Sequence, residues 1–145
     1  MQTKLSTILK LSLMSFVIIF FTSCTTTKKV RFNDSVVVPG AEGEVKVKKD
    51  NNGNYHLDIE IQNLADSKKL TPSKNTYVVW IETKESGSKN IGQVHSSSAL
   101  FSKAKKASIE TVSPTKPTRI FVTAEDDPAV EFPGTQIVLT TETFN

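Results

Sequence analysis

Two short runs of strictly alternating residues face each other across a turn, and they constrain the fold more than any other feature. In Gly43-Glu44-Val45-Lys46-Val47-Lys48 the valines alternate with charges, and in Tyr55-His56-Leu57-Asp58-Ile59-Glu60-Ile61 every second residue is apolar. A period of two puts Val45, Val47, Tyr55, Leu57, Ile59 and Ile61 on one face of a pleated ribbon and the charges on the other. Between the runs, Asp50-Asn51-Asn52-Gly53-Asn54 is rich in residues that tolerate positive φ and close turns on their own side chains. The pattern predicts an antiparallel hairpin. Its solvent face sets Lys46 and Lys48 opposite Asp58 and Glu60, pairs that contribute a few tenths of a kcal/mol each.

Further strands follow the hairpin. Asn63 to Asn75, with Pro72 inside, is a long connection, and Tyr77-Val78-Val79-Trp80-Ile81 is apolar at every position. Such a strand has to be covered on both faces or lie at the centre of a sandwich, and Trp80 is expected in the core. Ser86-Gly87-Ser88 turns the chain into Asn90-Ile91-Gly92-Gln93-Val94. Arg119 to Ala124 and Gln136 to Thr140 are two more strands, with breaks at Asp126-Asp127-Pro128 and Pro133-Gly134. Ser96 to Thr111 has two readings, a helix carrying Leu100, Phe101, Ala104 and Ala107, or two strands joined by a Lys103 to Lys106 turn; the strand-rich surroundings favour the second. The fold class is therefore all-β, an antiparallel β-sandwich over residues 36–145. Tyr77-Val78-Val79-Trp80, Asn90-Ile91-Gly92, Val122-Thr123-Ala124-Glu125 and Pro133-Gly134 occur in an order similar to the extracytoplasmic C-terminal domain of anti-sigma-K factors and to small exported Ig-like domains. That resemblance implies an Ig-like sandwich. A sigma-sequestering role is not carried over, because the sequence shows neither the helical domain nor the transmembrane helix on which it depends.

The beginning of the chain has a different character. Lys4 and Lys10 precede the run Leu11–Phe21, and Thr22-Ser23-Cys24 follow. A positive start, a short apolar segment and small residues at a cut are the parts of a secretory signal. The apolar run spans 11 residues, against about 20 for a helix that crosses a bilayer. Thr22-Ser23-Cys24 resembles the lipobox of bacterial lipoproteins, with Phe21 standing where that family usually has leucine. The resemblance implies cleavage before Cys24, a diacylglycerol on its sulfur and an amide-linked chain on its new amino group. An ordinary cleaved signal with a cysteine near the cut is the alternative. Cys24 is the only cysteine in the chain, whereas exported proteins in oxidising compartments normally pair theirs. One acyl chain binds a membrane marginally and several bind it stably. The expected organisation is a signal peptide at 1–23, a lipidated tether at 24–35 and the sandwich at 36–145. Thr25 is not the aspartate that lipoproteins use for inner-membrane retention, so the resemblance favours the periplasmic leaflet of the outer membrane, with the cell surface as alternative.

Charge excludes one class of partner. Of the 18 basic residues, Lys4 and Lys10 leave with the signal, so 16 remain against 15 acids; a domain so near neutrality carries no electrostatic footprint for nucleic acid. Catalytic and metal patterns are sparse. His56 and His95 are the two histidines, and neither lies in a ligand spacing for zinc. Counting from Asp50, the sixth position is Tyr55 and the twelfth Ile61, so the loop fails the EF-hand pattern. Glu125-Asp126-Asp127 reads as a solvated acidic loop, with weak calcium binding as its alternative. His95-Ser96-Ser97-Ser98 lacks the shaped turn of a nucleophilic serine, and Lys103, Lys105 and Lys106 read as a solvated turn. The sequence thus points to no enzyme and no cofactor, but to a membrane-anchored module of the cell envelope that is structural or binds a protein partner. Its rival is a carbohydrate- or lipid-binding domain built on Tyr77, Trp80 or the Lys103 to Lys106 loop.

Overall fold

The computed structural model of the protein describes residues 26–94, 97–98 and 105–145. Its strands, in chain order, are β1 (Thr27–Arg31), β2 (Glu42–Lys49), β3 (Tyr55–Gln62), β4 (Thr76–Thr83), β5 (Gly87–Val94), β6 (Ser97–Ser98), β7 (Lys105–Ser113), β8 (Pro117–Glu125) and β9 (Ile137–Thr140). One sheet has the order β1-β2-β3-β7-β6 and the other β5-β4-β8-β9. All pairings are antiparallel. The order β2-β3-β7-β6 against β5-β4-β8-β9 matches the immunoglobulin arrangement of A-B-E-D against C′-C-F-G, with β1 added beyond the first edge.

The hairpin forms as its alternation requires. Val45 pairs with Ile59 and Val47 with Leu57, and these side chains are buried with Ile61 against Val79, Ile81, Ile120 and Val122 of the opposite sheet. Burying each such side chain contributes about 1.5–3 kcal/mol. At the turn, Asp50 Oδ1 accepts the N–H groups of Asn52 (2.9 Å) and Asn54 (2.8 Å), and Gly53 sits at φ +88°, where a side chain would be strained. On the outer face Lys46 Nζ donates to Glu60 (2.6 Å) and Asp58 (3.1 Å). Lys48 instead faces His56 across the ladder.

Three features bear on the sequence expectations, and each departs from them in part. Thr27–Arg31, assigned to the tether, is a strand paired with β2, and Phe32 behind it is buried. Phe32 reaches the core because Gly43 leaves it room: a Cβ on Gly43 would overlap the Glu60 carbonyl and lie 3.1 Å from the Phe32 ring. Lys105–Ser113 is one strand along β3, which agrees with strands over a helix here but corrects the expected Lys103 to Lys106 turn, since Lys105 and Lys106 belong to the strand and pair with Ser98 and Ser97; residues 99–104 fall outside the described residues. Trp80 is fully buried, but outside the main core. It packs with Val78, Phe121 and Val130 in a second cluster on the outer face of the β5-β4-β8-β9 sheet.

The topology gives the sandwich two functionally different ends. Thr27 pairs with Lys48, so the chain enters beside the 50–54 turn. At the opposite end lie the β3–β4 connection (63–75) and the β8–β9 loop (126–136).

Candidate functional site

The second apolar cluster exists because the β8–β9 loop folds over the sheet. Trp80 and Phe121 are cross-strand partners with stacked rings 6.2 Å apart, and Val130 of the loop covers them. A run of hydrogen bonds holds the loop down. Trp80 Nε1 donates to Thr123 Oγ1 (2.8 Å), whose hydroxyl donates to Glu125 Oε1 (2.6 Å), which also accepts the Gly134 N–H (2.7 Å). Glu125 is 6% exposed. Gly134 permits this approach, since a Cβ there would stand 2.8 Å from Glu125 Oε2. From the other side, Asn90 Nδ2 donates to the carbonyls of Pro128 (2.9 Å) and Val130 (3.0 Å). Asp127 Oδ1 accepts the Ala129 N–H (2.8 Å), and Lys74 Nζ pairs with Asp126 (2.7 Å).

The acidic run is therefore divided among three tasks: Glu125 is a buried acceptor, Asp126 an ion-pair partner and Asp127 a turn cap. Among the described residues no group of three or more His, Cys, Asp or Glu is placed to hold a metal ion.

So firmly held a loop nonetheless presents Phe132 at 80% exposure, between exposed Glu131 and Pro133-Gly134. Beside it, at the same end of the sandwich, lies a groove of about 760 Å³. Val36, Leu70, Pro72 and Ile137 give it apolar walls, and Lys69, Lys74, Glu125 and Gln136 also line it. Val36 is 94% exposed and Ile137 44%. The Gln136 side-chain oxygen is buried, with no hydrogen-bond partner among the described residues. Extended chain closes the far edge of β9: Thr140 accepts from the Asn33 N–H (2.8 Å) and Val138 from the Ser35 hydroxyl (2.5 Å). That edge is not open for strand addition.

The candidates read from the sequence are scattered. His56 lies on the outer face at the turn end, with Nε2 3.1 Å from Asp50. Burial raises the Asp50 carboxyl, but the contact with His56 and the bonds from Asn54 and Asn52 outweigh it and hold the group below its ordinary value. The pair is part of the turn. Tyr77 and Trp80 are both buried and offer no platform for a sugar ring; Tyr77 donates its hydroxyl to the Ala65 carbonyl (3.0 Å). Cys24, His95, Ser96 and Lys103 fall outside the described residues. Sequence reasoning missed Phe132 and the groove. The available signal was an aromatic placed between Glu131 and Pro133 in a segment otherwise made of turn residues.

No protein-family model matches this chain, and neither the curated proteins nor the solved structures provide a match to it.

Proposed function

We propose that the protein is a non-catalytic interaction module of the cell envelope, exported by residues 1–23 and anchored through lipid on Cys24. One observation carries the interaction reading: the β8–β9 loop is fixed by a buried carboxylate and several hydrogen bonds, yet holds Phe132 out in water. An aromatic anchor on a preorganised loop loses little entropy on docking, and residues of this kind dominate binding energy at interfaces. The anchor reading rests on the sequence around Cys24. It is compatible with the topology, because an anchor just before Thr27 would leave the Phe132 end facing away from the membrane.

Two measurements test the reading. Mass spectrometry of the protein purified from its native membrane should find an acylated N-terminal Cys24; an intact Met1 or an unmodified N-terminus removes the anchor. Crosslinking in cells followed by purification should recover a defined protein with the wild type and lose it with Phe132→Ala. Identical recovery with both places the contact elsewhere. The groove supports a second reading, a carbohydrate or lipid ligand, because its volume falls in the range of small-molecule sites and Gln136 lacks a donor. A glycan or lipid that raises the melting temperature of wild type but not of Gln136→Leu would favour it.

A further inference from the structure

We infer that the partner of this loop end is a second copy of the same chain, with the Phe132 loop of each copy seated in the groove of the other. The inference rests on the interaction-module reading above and names its partner. Both halves of the contact are present on one molecule. The loop is apolar at its tip and acidic around it, with Asp127 and Glu131 exposed. The groove has apolar walls and is also lined by Lys69, with exposed Lys68 nearby; its other lysine, Lys74, is engaged by Asp126 of its own chain. Opposite charge around matched apolar surfaces is the arrangement that guides specific association.

Symmetry adds a second argument. Gly134 and Thr135 line the groove, so it begins two residues from Phe132. Donor and acceptor patches this close allow each copy to give and receive in one two-fold contact, which closes at two copies; patches on opposite ends would propagate a chain. An aromatic side chain buries about 150–250 Å², so two such insertions with their surrounding contacts lie at the small end of specific interfaces. Such a dimer is weak in dilute solution and is favoured by confinement on one membrane.

The test uses the full chain in membranes, as two differently tagged copies, one carrying a photo-crosslinking phenylalanine analogue at position 132. Irradiation should give a covalent dimer whose crosslinked peptide joins position 132 to residues 36–37 or 69–74 of the other copy. Lys69→Glu in both copies, or Glu131→Lys in both, should lower the yield by about tenfold by setting like charges together at two symmetric contacts. Mixing a Lys69→Glu copy with a Glu131→Lys copy should restore it, since both contacts are then complementary. Trp80 fluorescence, native in every variant, verifies folding. A dimer yield indifferent to these reversals, or not restored in the mixed pair, overturns the inference. Adducts with a different protein overturn self-association and leave the interaction-module reading standing; adducts with lipid alone, or none, overturn both.

Discussion

A carboxylate buried without a cation has to be stabilised by dipoles, and Glu125 has two aimed at one oxygen, the Thr123 hydroxyl and the Gly134 N–H. Removing it would leave the buried Thr123 hydroxyl and the part-buried Gly134 N–H without this acceptor. Glu125→Ala is therefore expected to cost about 2–3 kcal/mol in urea unfolding. It should also loosen the β8–β9 loop before the sheets separate. Trp80 is the only tryptophan and lies under that loop, so its emission should shift to the red in the variant under native conditions; an unchanged spectrum would show that the loop does not depend on Glu125. Tyr77 gives a second test. Burial, with the nearby Asp66 carboxylate adding to it, pushes its phenol from 10.0 up to about 12. The folded protein thus holds this proton more tightly than the unfolded chain. Stability from this source is complete below pH 10 and is lost as the pH rises to about 12, by about 1–2 kcal/mol once solvent screening of the part-buried hydroxyl is allowed for. Urea midpoints should fall over that window in the wild type and much less in Tyr77→Phe; equal slopes would refute the assignment.

Among the elements, β2 and β3 show why alternation was readable and what it left out. Period two placed Val45, Val47, Leu57, Ile59 and Ile61 inside because each pleated strand has only two faces. The Lys46 ammonium illustrates the outer face: its hydrogen bonds to Glu60 and then Asp58 raise its pKa well above the ordinary lysine value, and the Glu60 carboxyl is lowered in return, chiefly by the bond from Lys46. Gly43 was not legible as a packing residue, because its role depends on Phe32, which β1 delivers to it. Gly43→Ala should cost about 1–3 kcal/mol as an overpacked site and expose Phe32; a melting temperature within error of wild type would refute the tight fit. The apolar run of β4 required cover on both faces, yet no local pattern said that the second cover is a loop fixed by Asn90, 38 residues from Pro128. The same limit hid the groove, whose walls come from three segments distant in sequence. Glu125-Asp126-Asp127 looked like one solvated cluster because composition does not reveal that its members diverge into a buried acceptor, an ion-pair partner and a turn cap.

At the scale of the whole molecule, entry and loop ends are separated by the length of a strand, and the first strand starts only three residues after Cys24. A chain reaches at most about 3.3–3.6 Å per residue, so a lipid on Cys24 would hold the sheet within about 11 Å of the acylated residue. The eight residues of β3 add about 26 Å at the usual strand rise. Phe132 of any anchored copy therefore stays within a layer about 40 Å deep, and a partner deeper in the compartment is out of reach unless it extends down to the domain. If Cys24 carries the proposed lipid, the early start of β1 changes the geometry of encounter. A long tether would let each head sweep a volume, whereas one this short would confine the heads to a shallow layer, in which neighbours in the same leaflet would meet at similar height.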